Sequence, residues 1–104
     1  MRRHMMGFQF KDETSEEAIQ AVRNGYKAMQ EGNPGLLHVS VDPNISRSGF
    51  KRYDWILTMD FATHASWRQY EDSEAHDRMV ADNLTGSLAG ITSIDYDIGD
   101  TPAE

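Results

Sequence analysis

"RHMMGFQFKDETSEEAIQAVRNGYKAMQEGNPGLLHVSV", Arg3 to Val41, changes its hydrophobic period twice within one stretch. From Arg3 to Phe10 the pattern alternates, so His4, Met6, Phe8 and Phe10 share one side of an extended strand while Met5, Gly7 and Gln9 take the other. Ser15 then offers an N-cap, Glu16 and Glu17 fall in a first turn where the helix dipole favours acids, and Ala18, Val22 and Met29 lie near one stripe. Gly32, Asn33, Pro34 and Gly35 stop that helix. "LLHVSV" returns to alternation, with Leu37, Val39 and Val41 on one face and Leu36, His38 and Ser40 on the other.

The remaining chain continues the same grammar. "DPNISRSGFK" is a polar connector, long for a hairpin, whose Arg47 to Phe50 tip is expected to be mobile and dispensable for folding. "RYDWILTMDF" reads as a third strand with Tyr53, Trp55, Leu57, Met59 and Phe61 on a common face. Thr63 caps a helix running through Tyr70, Ser73 caps a second helix from Glu74, and "ITSIDYDI" supplies a last strand. Residues 1–98 then form one domain, and "GDTPAE", 99–104, is a frayed tail.

Strand, helix, strand, strand, helix, strand is the split βαβ order of a ferredoxin-like α+β fold, an antiparallel sheet with its helices on one face. The opposite sheet face, carrying Met5, Leu36, His38, Ile56 or their neighbours, is too apolar to leave in water. Two subunits packed sheet to sheet as a homodimer would cover it.

Composition narrows the function classes. The 104 residues suffice for one domain, and a net charge of −7 with a pI near 4.9 opposes a phosphate backbone, so nucleic acid is not an expected partner. With no cysteine there is no disulfide framework, thiolate zinc site or cysteine nucleophile. Gly7, Gln9 and Lys11 interrupt the apolar run that a signal peptide would need, and no segment approaches the roughly 20 apolar residues of a membrane span. A cytoplasmic protein is the expectation.

"QYEDSEAHDRM", Gln69 to Met79, sets Tyr70 and His76 on either side of the Ser73 break. In the first turn of a helix His76 favours a neutral imidazole that can accept a proton, and the Tyr70 hydroxyl could support a carbonyl oxygen as it gains charge. The same residues also fit a buried phenol ring with a wet hydroxyl and a histidine bonded to backbone. His4 reads as a core or rim residue, His38 as an interface residue and His64 as exposed. Their spacing gives no metal site. Ser73 lacks any nucleophile-elbow motif and reads as a cap.

The opening "RHMMGFQFKDETSEE", the strand "YDWILTMDF" and above all "YEDSEAH" resemble the Dabb family, the stress-responsive dimeric α/β-barrel proteins, from Arg3 to about Ile98. The resemblance implies paired ferredoxin-like subunits. One branch, the plant olivetolic acid cyclase, closes a linear polyketide by an aldol reaction without metal or organic cofactor. Its Tyr and His, spaced as YxxxxxH, are matched by Tyr70 and His76, its first-strand His by His4, and its pocket positions by Met6, Phe8, Val22, Tyr26, Val39 and Met79. Arg23 replaces a pocket aromatic, Met79 is slimmer than the cyclase's residue, and Ser73-Glu74 stands where His-Pro is usual, which implies a different substrate. The resemblance therefore implies a protein that binds a small hydrophobic carbonyl compound, cyclising or isomerising it with the Tyr70/His76 pair and no cofactor. A non-catalytic structural dimer and a cofactor-free monooxygenase remain the other readings.

Overall fold

The computed structural model describes residues 1–104. It contains β1 (Arg2–Phe10), α1 (Glu16–Ala28), β2 (Leu36–Pro43), β3 (Trp55–Phe61), α2 (His64–Glu71), α3 (Glu74–Met79), a π-turn (Val80–Leu84) and β4 (Leu88–Asp97). The four strands form one antiparallel sheet in the order β2-β3-β1-β4, the ferredoxin-like arrangement. No helix is long and apolar enough to cross a membrane.

The caps fall where the residue chemistry places them. Ser15 accepts from the Ala18 amide, Thr63 and Ser66 form a reciprocal capping box, and Ser73 accepts from the His76 amide. Along β1, His4, Met6 and Phe8 turn to the helical side, where Phe8, Val22, Tyr26, Leu57, Met59 and Phe61 are completely buried.

Four details depart from the sequence reading. A bulge between Leu36 and His38 turns Leu36 into the core and leaves Leu37 outside at 54% exposure, because the extra residue reverses the alternation at the start of β2. Tyr53 precedes β3 and does not follow its inner face. Its ring lies over Gly7 on the outer side of the sheet, where a Cβ at Gly7 would approach Tyr53 Cγ to 2.8 Å. The C-terminal tail is pinned: Pro102 and Ala103 carbonyls accept from the His64 and Ala65 amides at 2.9 and 2.8 Å, satisfying donors that the start of α2 would otherwise leave free. His64 is accordingly half-buried, against the expectation that it faces solvent.

The outer face carries a bidentate ion pair, Arg3 Nε and Nη2 donating to Asp60 at 2.8 and 3.0 Å, and the carboxylate holds the guanidinium proton more tightly than usual. Around it lie Met5, Ile56, Ile94 and Tyr96 by strand alternation. The β2 edge is partly closed by side chains: Arg23 donates to the Val41 carbonyl at 2.9 Å and Gln30 to the Leu37 carbonyl at 3.0 Å.

Gly35 permits the close approach of β2 to α2, since a Cβ there would run into Ser66 Cβ. Ser66 Cβ is fixed to the helix backbone and cannot swing away. Gly35→Ala is therefore expected to destabilise the fold by about 1–3 kcal/mol, measured as a lower denaturation midpoint at constant m-value.

Candidate functional site

Tyr70 occupies the buried face of α2 and is 4% exposed. Three rings surround it: Phe61 at 5.4 Å between centroids, His76 at 5.1 Å edge-on and His4 at 6.2 Å. The Ser73 hydroxyl explains why the Tyr-to-His spacing works. It donates to the Tyr70 carbonyl at 2.7 Å and accepts from the His76 amide at 3.1 Å, tying the end of α2 to the start of α3. The two side chains consequently converge instead of following one continuous helix.

His4 comes from the far side of the sequence and is held by a partner that no local motif marks. Its Nδ1 lies 2.7 Å from Asp95 Oδ1, and the strand register pairs the two residues directly. A carboxylate can only accept here, so Nδ1 carries a proton, and in the neutral form of the ring the lone pair is on Nε2. Arg2 fixes Asp95 in turn, donating through Nε and Nη2 to Oδ2 at 3.0 and 2.9 Å. The Arg2 guanidinium also stacks over Trp67 at 3.5 Å and contacts His64 Nδ1 at 3.2 Å, which makes that nitrogen an acceptor. Asp95 is the functional candidate that sequence reasoning missed. Its only signal is alternation in "ITSIDYD", which puts an acid on the same face as His4 once the strands are paired.

The environment of Tyr70 is chemically unusual. Its hydroxyl is buried without a hydrogen-bond partner, as is Trp67 Nε1 on the same helix. The Tyr26 hydroxyl is near enough to influence Tyr70 without making a hydrogen bond of normal geometry, and burial pushes the proton affinities of both phenols well above the usual range. His76 is less enclosed, with Nδ1 3.3 Å from the exposed Asp77 carboxylate.

This arrangement predicts alkaline sensitivity. Both phenols keep their protons in the folded state where unfolded tyrosines lose them, so stability is fully present below about pH 10 and declines as pH rises above it. Denaturation midpoints between pH 8 and 12 should trace this decline, and Tyr26→Phe should flatten it.

The structure brings Tyr70, His76, His4 and Tyr26 together. Of the expected pocket walls, Phe8, Val22, Tyr26 and Met79 are buried in the same core and Met6 packs at its edge. Phe8 and Tyr26 stack at 6.0 Å, so these side chains occupy the interior between sheet and α1. Val39 is also buried, and in addition borders a separate groove of about 250 Å³ beside Arg23 and Lys27. A cleft of about 160 Å³ between the end of α1 and the α2–α3 junction reaches Tyr70 and is lined further by Met29, Asn33, Gln69, Ser73 and Ala75, with neither His4 nor His76 on its wall. No three acidic or histidine side chains converge as a metal site.

The family model of the stress-responsive A/B barrel domain, Dabb, matches residues 3–98. No curated protein matches the chain. A crystal structure of an Arabidopsis thaliana protein superposes with a TM-score of 0.85 at 22% identity, covering 97% of this chain and 98% of that one. A hydroxynitrile lyase from Passiflora edulis gives 0.81 at 16% identity, with 96% and 94% covered. A dimeric ferredoxin-like protein of unknown function from Thermobifida fusca gives 0.78 at 18% identity, with 93% and 90% covered.

Proposed function

Because this chain belongs to the Dabb family of stress-responsive α/β-barrel proteins, we propose that it works as a cytoplasmic homodimer that binds a small hydrophobic carbonyl compound at Tyr70 and moves a proton on it, cyclising or isomerising it. The observation that carries this reading is the buried, unpartnered Tyr70 hydroxyl with an imidazole on either side. An unsatisfied buried hydroxyl is costly to a fold, and a ligand's carbonyl oxygen would satisfy it.

In the proposed reaction a neutral imidazole takes a proton from the carbon beside the carbonyl. Charge moves onto the carbonyl oxygen, where the Tyr70 hydroxyl donates a hydrogen bond. His4 is the better supported base, since Asp95 both fixes its tautomer and stabilises the imidazolium that forms, and Arg2 keeps Asp95 in place. His76 closes the opposite side of the phenol. Base and donor are side chains of this protein, so the proposed chemistry needs no organic cofactor or metal. A hydroxynitrile lyase with the same fold lends support to catalysis on such a scaffold.

The Phe8–Tyr26 stack and the buried Met79 favour a second reading, a non-catalytic dimer whose interior is filled by its own side chains. A panel of cyclisable hydrophobic β-polyketones separates the two. Turnover by wild type supports the enzyme, binding without turnover leaves a carrier, and neither leaves the structural dimer. Oxygen consumption in the same assay would instead identify a cofactor-free monooxygenase.

A further inference from the structure

Side chains of α1 meet the open edge of β2 at two rungs. Gln30 donates to the Leu37 carbonyl at 3.0 Å and Arg23 to the Val41 carbonyl at 2.9 Å. Lys27 lies between the two donors along the helix, and Val39 between the two acceptors along the strand. No hydrogen bond joins them, although both line the groove of about 250 Å³ that opens between α1 and β2. The Val41 carbonyl points to the edge, and the register from Val39 to Val41 is regular. A strand repeats every two residues, so the Val39 N–H and C=O turn to the same edge. Because the Val39 and Val41 side chains are buried, the strand offers this groove its main chain.

The helical wall is rich in donors. Gln20, Arg23, Asn24 and Lys27 fall at i, i+3, i+4 and i+7, on one face of α1. Gln20 Nε2 donates to Asn24 Oδ1 at 2.9 Å, which leaves Asn24 Nδ2 free to donate. Arg23 is held by the Val41 carbonyl and by the Trp55 ring, whose centroid lies 5.1 Å from the guanidinium carbon. Its one acidic neighbour, Asp42, stays 3.8 Å from Nη2 with a side chain 64% exposed, too far for a hydrogen bond. The Nη groups of Arg23 and the Lys27 ammonium thus face the groove without an acceptor. In a chain of net charge −7, two cations beside an open main-chain N–H are a local reversal of sign.

We propose that this groove binds a small organic carboxylate, held between the Lys27 ammonium, the Arg23 guanidinium and the Val39 N–H. The planar fork of arginine matches the two oxygens of a carboxylate, and the lysine adds a second positive charge. An extended peptide would have to break both rungs to pair with β2, whereas a small acid fits the single opening between them. The groove shares no residue with the Tyr70 cleft, so the proposal stands apart from the reaction above. A neutral carbonyl compound lacks the charge that these donors answer.

Succinate and benzoate are the probes, titrated at an ionic strength held constant with sodium chloride. Saturable binding with a Kd on the order of 1 mM is expected. In amide NMR spectra it should move the Val39 N–H and the Arg23 Nε–H and leave the Tyr70 amide in place. Trp55 emission should change as the guanidinium beside it is engaged. Lys27→Gln removes a charge that makes no ion pair or hydrogen bond within the protein, so the melting temperature should hold while affinity falls roughly tenfold. Lys27→Arg should restore binding. Absence of saturable binding by either acid would overturn the proposal, and so would an affinity indifferent to Lys27→Gln. Shifts confined to the Tyr70 and Ser73 amides would overturn it by moving the acid to the other cleft. Inorganic phosphate binding more tightly than both acids would overturn the assignment to a carboxylate.

Discussion

Replacing His4 with alanine is expected to lower turnover of a cyclisable β-polyketone by roughly 10²–10⁴-fold, the loss typical of removing a general base. His4 has the geometry that such a role requires: Nδ1 is committed to Asp95 at 2.7 Å, Asp95 is committed to Arg2, and Nε2 remains with its lone pair. The substitution leaves Asp95 paired with Arg2, so it does not strand a buried charge, and the fall in activity should exceed what any change in melting explains. Asp95→Asn gives the complementary measurement. It keeps the hydrogen bond's position but removes the charge that stabilises the imidazolium, so kcat should fall while KM changes little. If His4→Ala retains activity and His76→Ala loses it by the same factor, the base is the imidazole on α3.

Tyr70→Phe is expected to move activity and stability in different directions. Turnover should fall roughly 10²–10³-fold, the effect of deleting one donor that meets a developing oxyanion. Stability should stay level or rise, because the hydroxyl removed is buried with no partner, and such a group costs a fold about 1–3 kcal/mol. Phenylalanine keeps the ring that packs against Phe61 and His76. Parallel measurements of kcat/KM and the denaturation midpoint check both halves. A structural tyrosine would give unchanged function, and a hydroxyl engaged elsewhere in the fold would give a lower midpoint.

Elements whose formation depends on adjacent residues were legible in the sequence. The switch from alternation at Phe10 to a capped helix at Ser15, the Thr63 cap and the Ser73 break all follow from local chemistry, whereas spacing alone left Tyr70 and His76 open and only the family resemblance pointed to them as a pair. What escaped depends on partners distant along the chain or on a single extra residue. Strict alternation put Leu36 outside and Leu37 inside, and one bulge reversed both. Tyr53 continued the β3 pattern on paper, but it lies before the strand and lies over a glycine two strands away in sequence. The tail holds no hydrophobic pattern, yet its carbonyls satisfy the first amides of α2. Asp95 stands 91 positions from His4, and nothing local to either residue announces that they pair.

A crystal structure of the protein soaked with a small hydrophobic β-diketone tests the central claim most directly. The account predicts a carbonyl oxygen about 2.6–3.2 Å from Tyr70 Oη, with the carbon between the carbonyls facing His4 or His76 and with Met79 or Tyr26 displaced to make room. A ligand seated in the groove beside Arg23 and Lys27, with the Tyr70 hydroxyl still unpartnered, would contradict it.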